Sequence, residues 1–195
     1  MSSESEQIVD LAKFQPPASL PGAPFWKQVL WYFVNSLVFA NSLFPFRSPK
    51  PWILRRFGAT VGSGVVIHPG VNIKYPWKLE IGDSVWIGQK AWLDNLERLT
   101  IGNNVVISQG ALVILGSHDY RREDFPTLAL PVVLEEGCWI GARAIVTLGV
   151  RAGAHAVLTA GSVASRDMDA GWVYQGVPAN RVRRRFSNSG AQTSR

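Results

Sequence analysis

Aliphatic residues recur at fixed intervals along most of the chain, from residue 61 onward. The stretches 61–80, 81–100 and 101–120 align without gaps, and each opens with an aliphatic residue followed by glycine. The repeat is 20 residues long and consists of two six-residue units and one eight-residue step. Three columns of this alignment carry only Val or Ile (Val61, Ile81 and Ile101; Val65, Val85 and Val105; Ile67, Ile87 and Ile107).

The six-residue spacing returns in a stricter form after an interruption at residues 119–133. Consecutive six-residue units then begin with an aliphatic or small residue (Leu134, Ile140, Val146, Ala152, Leu158 and Ala164). An α-helix requires a period of about 3.6 residues, so a sustained period of six excludes a helix. Six residues suffice for one short strand and one turn, and three such units close a triangular coil.

These features predict an all-β domain, a parallel β-helix over residues 61–186 with the loop 119–133 outside it. The leading aliphatic side chain points into the prism, and coils stacked about 4.8 Å apart bury this apolar row against their neighbours. About five coils give a prism roughly 24 Å long. The periodicity does not determine the hand of the coil, because ordinary crossover connections are right-handed.

The residues before the repeats divide into two segments. Residues 1–24 are polar and then Pro-rich, which predicts a flexible extended segment. The segment 25–60 begins with an apolar run, 25–46, that is typical of a helix; Asn and Ser interrupt it, and it is short for a membrane span. Docking on the domain or on a partner subunit is favoured over membrane-surface association. Several apolar residues of the run share one side of a helix (Leu30, Phe33, Val34, Leu37 and Val38).

Composition and charge agree with this picture. Apolar residues make up 47% and charged residues 17% of the chain, with eight Trp, as in β structure with a large internal face. The formal charge is +6, and an arginine cluster precedes the tail 187–195, for which disorder is expected. This basic end could bind cofactor phosphates, anionic lipid or nucleic acid, or could be solvated. The chain lacks the aromatic-and-basic pattern of a nucleic-acid module, so that partner is not expected.

The single cysteine, Cys138, excludes an internal disulfide and a thiolate metal cluster. It falls at an inward-pointing position of its coil, which predicts core packing. The first 24 residues contain no basic start followed by an apolar stretch, so no signal peptide is expected. Together these features favour a cytoplasmic protein.

The repeats and the region around them contain five distinctive segments: ILRRFGA (53–59), WLDNL (92–96), ISQGA (107–111), GSHDY (116–120) and GVPANRV (176–182). These segments resemble the hexapeptide-repeat acyltransferases, in particular the maltose, galactoside and colanic acid biosynthesis O-acetyltransferases. The similarity covers residues 25 to 186, and its most specific part contains His118. It implies a left-handed parallel β-helix, acetyl-CoA as the donor and a sugar hydroxyl as the acceptor. It also implies a homotrimer with each active site in a cleft between two prisms.

His118 is the candidate catalytic base. It ends a six-residue unit directly before the loop 119–133, lies beside Asp119, and matches the catalytic histidine of the family. A sugar hydroxyl is a poor nucleophile at neutral pH, whereas an imidazole titrating near pH 6.5 can accept its proton during attack on a thioester. Direct attack needs no covalent intermediate, and the oxyanion needs a donor such as a backbone N–H.

The other two histidines, His68 and His155, fall in the first and fifth coils and are expected at the surface. The γ-type carbonic anhydrases, a rival family with the same fold, need three imidazoles that converge on one zinc ion. The spacing of the three histidines does not provide this arrangement. A metal is therefore not expected.

Asp94, Asn95 and Asp119 are the candidate contacts to the acceptor sugar. Asp94 and Asn95 lie on the same edge of the prism as His118, where the family keeps an amide or a carboxylate. Their alternative role is to hydrogen-bond the turn, as Asp and Asn often do. The loop 119–133 is expected to reach over the cleft and shape the acceptor pocket, with an exposed polar excursion as the alternative.

The resemblance assigns CoA to the outer edge of the last coils. Ala142 and Ala160 match positions whose backbone groups bind the pantetheine arm. Ser165 and Arg166 match a hydroxyl and a basic residue near the phosphates, and Arg183 matches a later basic contact. The residue after GVPA is Asn rather than the basic residue of several relatives, so contacts at the adenine end are not predicted.

The sequence thus predicts an acetyl-CoA-dependent O-acetyltransferase that acts on an exopolysaccharide or its precursor, in the cytoplasm or at the inner face of the membrane. Two alternatives stay open. The same machinery could acetylate a small free sugar or a xenobiotic, or the β-helix could be a non-catalytic scaffold. Binding of CoA distinguishes an enzyme from a scaffold.

Overall fold

The computed structural model describes residues 8–17, 20 and 22–186. The tail 187–195 and part of the segment 1–24, for which disorder and flexibility were expected, lie outside these residues. The described chain forms two α-helices, α1 (Phe25–Val34) and α2 (Pro49–Arg56), followed by short strands. Single turns of 3₁₀ or π helix occur at Leu11–Lys13, Asn35–Phe39 and Pro76–Lys78.

The strands are numbered in chain order. They are β1 (Thr60–Val61), β2 (Val66–Ile67), β3 (Asn72–Ile73), β4 (Leu79–Ile81), β5 (Trp86–Ile87), β6 (Trp92–Asp94), β7 (Leu99–Ile101), β8 (Val106–Ile107), β9 (Leu112–Ile114), β10 (Gly116–His118), β11 (Thr127–Ala129), β12 (Val132–Leu134), β13 (Trp139–Ile140), β14 (Ile145–Val146), β15 (Arg151–Ala152), β16 (Val157–Leu158), β17 (Val163–Ala164), β18 (Trp172–Gly176) and β19 (Ala179–Arg184).

Successive strands belong to three parallel sheets that form the sides of a prism. Sheet A has the order β1-β4-β7-β12-β15, and sheet C has the order β3-β6-β9-β14-β17 when followed along the chain. Sheet B contains β2, β5, β8, β13, β16 and β18, and the antiparallel strand β19 closes it. Five coils are therefore complete and β18 begins a sixth, an arrangement consistent with the left-handed parallel β-helix expected for the family. The predicted fold class is confirmed.

The 20-residue repeat is the vertical spacing of the coils. Val61 pairs with Ile81, and Ile81 pairs with Ile101, in adjacent strands of sheet A. All three are buried inside the prism, with exposures of 8%, 2% and 1%. The predicted stack of inward aliphatic residues is therefore confirmed, and each coil buries its apolar row against the coils beside it.

The glycine after each leading aliphatic residue is required by the close approach of the next coil. A Cβ atom on Gly82 would lie 2.4 Å from Asn103 Oδ1 and 2.8 Å from the Asn103 backbone nitrogen. No side chain fits at these distances. The recurring aliphatic–glycine pair thus records one inward side chain and one backbone contact between coils.

The segment 25–60, named here the cap, covers the first-coil end of the prism. Trp31 of α1 is buried and its Nε1–H donates to the carbonyl oxygen of Ile73 at 2.9 Å. The Asn35 side-chain amide donates to Asn72 Oδ1 at 2.7 Å, and Phe39 is fully buried. The apolar run therefore docks on the first coil. Among the described residues, no helix is long and apolar enough to cross a membrane.

The side of α1 that docks is not the apolar side identified from the sequence. Val34 and Val38 are partly buried against the core, but Leu30, Phe33 and Leu37 remain exposed. The helix is apolar around most of its circumference, so its sequence pattern alone does not select the buried side.

Candidate active site

His118 lies at the end of a β-hairpin that leaves the prism after the third coil. Strands β10 and β11 pair antiparallel, with His118 opposite Thr127. The interruption expected at 119–133 is therefore a structured excursion, and its bounds differ from the expected ones. It starts before residue 119, and Val132 and Val133 already belong to β12, where Val132 pairs with Leu99.

The ring of His118 is held between aromatic side chains. Phe125 stacks on it with 4.5 Å between ring centroids and 9° between ring planes. Phe14, from the N-terminal segment, contacts the ring at 5.8 Å. The segment around Phe14 is itself tied to the hairpin, because the Asp10 N–H donates to the Glu123 carbonyl oxygen at 2.9 Å and Lys13 forms an ion pair with Glu123.

A backbone carbonyl determines the tautomer of His118. Its Nδ1 lies 3.0 Å from the carbonyl oxygen of Phe125. Because a carbonyl oxygen only accepts hydrogen bonds, Nδ1 carries the hydrogen and Nε2 of the neutral imidazole carries the lone pair. Phe125 has a left-handed backbone conformation, with φ of 44°, which turns its carbonyl toward the imidazole while its ring stacks on it. This geometry suits a general base that acts through Nε2.

The carboxylate of Asp119 binds Arg121. Arg121 Nε and Nη2 donate to the two carboxylate oxygens at 2.9 and 3.3 Å. These hydrogen bonds lower the pKa of Asp119, so the carboxylate stays charged at neutral pH. The predicted contact between Asp119 and the acceptor stays a prediction.

Asp94 and Asn95 occupy the coil below the hairpin but have different surroundings. Asp94 pairs in register with Ile114, and its Oδ1 lies 2.9 Å from Lys74 Nζ. Asn95 is fully buried; its Oδ1 accepts from the Tyr75 N–H at 3.1 Å and its Nδ2 donates to the Tyr75 carbonyl at 2.7 Å. The geometry of Asn95 therefore serves the turn-supporting role, and only Asp94 faces open space.

Asp94 lines a cavity of about 670 Å³ between α1 and the outer side of sheet C. Sequence reasoning missed this cavity, because the cap that forms one wall docks through contacts the repeat does not encode. The other wall, formed by the prism, carries Lys74. Aromatic side chains line both walls: Phe25, Trp31, Tyr32 and Phe33 from α1, and Tyr75, Trp77 and Trp92 from the prism.

A second cavity, of about 550 Å³, lies near the last coils and brings together three of the five residues expected to bind CoA. Ala142, Ala160 and Arg183 all line it. Ser165 and Arg166 follow β17 at the end of a sheet C strand and do not line it. Their assignment to the phosphates stays a prediction.

Backbone groups are available in this second cavity. Coils approach so closely here that a Cβ atom on Gly141 would lie 2.5 Å from the Ala160 nitrogen. Within the described chain, the hydrogen-bond network gives the N–H groups of Ala142 and Ala160 no acceptor, and both residues line the cavity. Two N–H donors on adjacent coils can thus serve an extended polar ligand.

The arginine cluster belongs to a paired strand, although Arg181, Arg183 and Arg184 remain exposed. Residues 179–184 form β19, which pairs antiparallel with β18 and places Arg183 opposite Val173. Arg183 and Arg185 line the second cavity, whereas Arg181 and Arg184 each stack on Trp172 at 4.3 Å. Strand pairing thus places the arginines of the cluster on two sides of β19. The six-residue spacing could not reveal this division, because it ends before β18.

The remaining candidate groups serve structure. Cys138 is fully buried and its thiol donates to the carbonyls of Ala152 and Gly153 at 3.3 and 3.0 Å. Burial raises the pKa of Cys138 to about 11, and the predicted core-packing role is confirmed. His68 and His155 lie in other coils than His118. Across the described residues, no three potential ligands of the His, Cys, Asp or Glu type gather to hold a metal ion.

Three features together are typical of a hexapeptide-repeat acyltransferase: the prism, the excursion with its oriented histidine, and the second cavity beside the last coils. Residues 131–165 match the family model described as the hexapeptide repeat of succinyl-transferase. The chain is 38% identical over 176 residues to WcaF of Escherichia coli K12, a protein provisionally named as a colanic acid biosynthesis acetyltransferase. That alignment covers 90% of this chain and 97% of the relative. The chain belongs to the hexapeptide-repeat acetyltransferases.

Other relatives agree. The galactoside O-acetyltransferase of E. coli K12 is 25% identical over 134 residues, covering 67% of this chain and 66% of that protein. A crystal structure of a hexapeptide-repeat acetyltransferase from Vibrio cholerae O1 biovar eltor, complexed with acetyl coenzyme A, has a TM-score of 0.76 at 21% identity. It covers 96% of this chain and 100% of that one. This structural likeness agrees with the fold of the hexapeptide-repeat acetyltransferases, to which the chain belongs.

Proposed function

We propose that the protein transfers the acetyl group of acetyl-CoA to a sugar hydroxyl, of an exopolysaccharide or of its precursor. The observation that carries this proposal is the orientation of His118, whose Nδ1–H is held by the Phe125 carbonyl so that Nε2 is free to accept a proton. Sugar as the acceptor is supported by the relatives, one named for colanic acid biosynthesis and one for galactosides. The CoA donor fits a reaction in the cytoplasm.

The proposed reaction is a direct transfer. Nε2 of His118 takes the hydroxyl proton while the sugar oxygen forms a bond to the thioester carbon. The tetrahedral intermediate collapses, the carbon–sulfur bond breaks, and the CoA thiolate takes the proton back from the imidazolium. The Phe125 carbonyl stabilises the imidazolium, since its oxygen faces the Nδ1–H that shares the positive charge.

For the donor, we assign the pantetheine arm to the second cavity. The N–H groups of Ala142 and Ala160 would donate to its amide carbonyls. Arg183 and Arg185 line the same cavity and supply positive charge for the phosphates. Ser165 and Arg166 remain proposed contacts farther along the same coils.

For the acceptor, we assign the sugar to the space near Asp94 and the excursion that carries Asp119. The Asp94 carboxylate can accept hydrogen bonds from sugar hydroxyls, and its ion pair with Lys74 fixes its position. Trp92, on the same strand, is 45% exposed and offers a flat apolar surface to a sugar ring.

The exterior of the prism supports a homotrimer. The outward row of sheet A is mostly polar, with Thr60, Glu80 and Thr100 in register. The outward row of sheet B is apolar in consecutive paired strands, with Val66, Trp86, Val106 and Trp139 in register. The outward row of sheet C is apolar after its first strand, with Trp92, Leu112 and Ile145 in register. Two adjacent apolar sides are what a prism needs to contact two neighbours around a threefold axis.

The experiment is the substitution His118→Ala, followed by two measurements. Acetyl transfer to an oligosaccharide acceptor, detected as released CoA thiol, should fall by about 10²–10⁴ because the hydroxyl proton loses its acceptor. The affinity for CoA, measured by calorimetry, should change little, since the second cavity is untouched. Transfer near the wild-type rate would refute the role of His118.

His68→Ala is the matched control, because His68 lies in the first coil away from both cavities. Its transfer rate should equal that of the wild type. Wild-type protein that binds no CoA would favour the scaffold alternative. Acetylation of free sugars or xenobiotics but not of oligosaccharides would favour the small-acceptor alternative.

A further inference from the structure

The outer side of the cap is strongly apolar. In α1 and the π turn that follows, Trp26, Leu30, Phe33 and Leu37 follow one another at helical spacing and are 48–66% exposed. Leu43 and Phe46, in the connection to α2, are 89% and 63% exposed. Isolated exposed apolar residues are ordinary, but a continuous group on one helical segment marks a binding surface.

This exposed side is not the side of the helical segment that packs on the prism. The opposite side of the same segment already packs on the first coil through Trp31 and Phe39, and Asn35 bonds Asn72. Trp31 also contacts Phe39 and Phe57 at ring-centroid distances of 5.2 and 5.0 Å. Because this helical segment is apolar on both sides and buried on only one, we expect its exposed side to contact a second apolar environment.

The charges of the cap indicate which environment this is. Residues 25–60 contain five cations and no Asp or Glu, and the acid-free stretch extends from Leu11 to Leu79. Arg47, Arg55 and Arg56 are exposed. The Arg56 guanidinium lies 5.2 Å from the ring centre of Trp52, which is 57% exposed, so cation and aromatic ring share one site. The five cations are Lys27, Arg47, Lys50, Arg55 and Arg56.

A second copy of the cap would bring like charges together, whereas an anionic lipid surface would complement both the apolar stripe and the cations. Apolar insertion and basic attraction together are the combination that gives stable binding at a membrane interface. Exposed Trp side chains suit the same interface, because the indole is apolar over most of its surface and polar at its N–H.

We propose that the cap binds the surface of an anionic bilayer, with Trp26, Phe33 and Leu37 in the interface and Arg47 and Arg56 at the lipid phosphates. The cap would lie on the bilayer rather than cross it. The proposal goes beyond the acetyl transfer reaction and does not depend on it, since neither the oriented imidazole nor the second cavity is involved. Of the exposed apolar residues named above, Phe33 also lines the first cavity.

The test is flotation of the full chain with vesicles of phosphatidylcholine alone or with about one third phosphatidylglycerol. Wild-type protein should float with the anionic vesicles, and high salt should weaken this binding because the Debye length falls to about 3 Å at 1 M. The partition coefficient of the double variant F33E/L37E should fall roughly tenfold or more. Tenfold is a lower bound, because the transfer of only two methylene groups into the bilayer already changes a partition coefficient by more than this. V177E is the control, because Val177 is 72% exposed in the β18–β19 turn, far from the cap, and should bind like the wild type.

A second variant isolates the charges. R47Q/R56Q keeps every apolar side chain and should lose binding only to anionic vesicles at low salt. Equal binding of the wild type to both vesicle types, or to neither, would overturn the proposal. So would light scattering in which F33E/L37E dissociates the oligomer while wild type and V177E do not, because the stripe would then be a subunit contact.

Discussion

Lys50 is a buried cation, and its titration should be visible in the stability of the protein. Its side chain is completely buried, and Nζ donates to the His68 carbonyl at 3.0 Å. Nζ also lies 5.6 Å from the ring centre of Phe39 and 6.0 Å from that of Phe44. Burial lowers the pKa of Lys50 from 10.5 to about 8, because the charged form loses its hydration.

The sign of the effect follows from which state holds the proton. Between the folded pKa of about 8 and the unfolded pKa of 10.5 the unfolded chain binds more protons, so the free energy of unfolding rises with pH. The whole difference of about 2.5 pKa units corresponds to about 3 kcal/mol. About 2 kcal/mol of it falls between about pH 7 and about pH 9.5, and little of it is present below pH 8.

Urea unfolding of the wild type and of Lys50→Met, over that pH range and at one protein concentration, measures this contribution. The stability of the wild type should rise by about 2 kcal/mol relative to the variant. Other titrating groups, such as Cys138, are common to both proteins and cancel. Arg56→Met, in the same helix, is the control: its difference from the wild type should not depend on pH, because a guanidinium stays protonated in both states. Parallel stability curves for Lys50→Met and the wild type would refute the reasoning.

Three further predictions concern the cap, the core and the donor groove. In a denaturation experiment, Trp31→Ala should lower the free energy of unfolding by about 3–5 kcal/mol, since it removes a buried indole and its hydrogen bond to Ile73. The control Trp26→Ala, at a 66% exposed position, should lower it by under about 1 kcal/mol, and equal losses would contradict the observed docking side. Cys138 should react with iodoacetamide at least about a hundredfold more slowly in native than in urea-unfolded protein, because burial and the raised pKa withhold the thiolate; fast labelling of native protein, followed by mass spectrometry, would exclude the buried thiol. Arg183→Ala should weaken CoA binding, measured by calorimetry, roughly tenfold to a hundredfold. The control Arg184→Ala should leave the affinity nearly unchanged, because the Arg184 guanidinium stacks on Trp172. Similar affinities for the two variants would show that Arg183 does not bind the phosphates.

The prism could be predicted because its information is local and repeated. The pair of an aliphatic residue followed by glycine recurs from coil to coil, and the register of Ile81 on Ile101 follows from the spacing alone. The core role of Cys138 follows in the same way from its place in a coil. Because the same pattern recurs in every coil, one irregular repeat does not obscure it, and the sequence leaves little freedom for another fold.

The parts outside the repeat depend on contacts that no periodicity records. Pairing of β18 with β19 turns the arginine cluster into a strand, and only that pairing separates Arg183 from Arg184. The docking side of α1 depends on one indole N–H that finds the Ile73 carbonyl, in a helix with apolar residues nearly all round. The repeat assigns Asn95 to one edge of the prism, but whether its amide faces a sugar or the Tyr75 backbone depends on the fold of the turn.

Under the acceptor assignment proposed above, the excursion carrying His118 is the place where this architecture can change its substrate over evolutionary time. Residues paired between adjacent strands of sheet A are 20 apart below the excursion, as in Leu79 and Leu99, but 33 apart across it, as in Leu99 and Val132. The rungs on either side nevertheless stay in register, since β9 pairs directly with β14. Residues can therefore be added, removed or exchanged in the hairpin without altering the stack beneath it. Under the same proposed assignments, lineages can diversify the acceptor at this one branch while inheriting the second cavity unchanged.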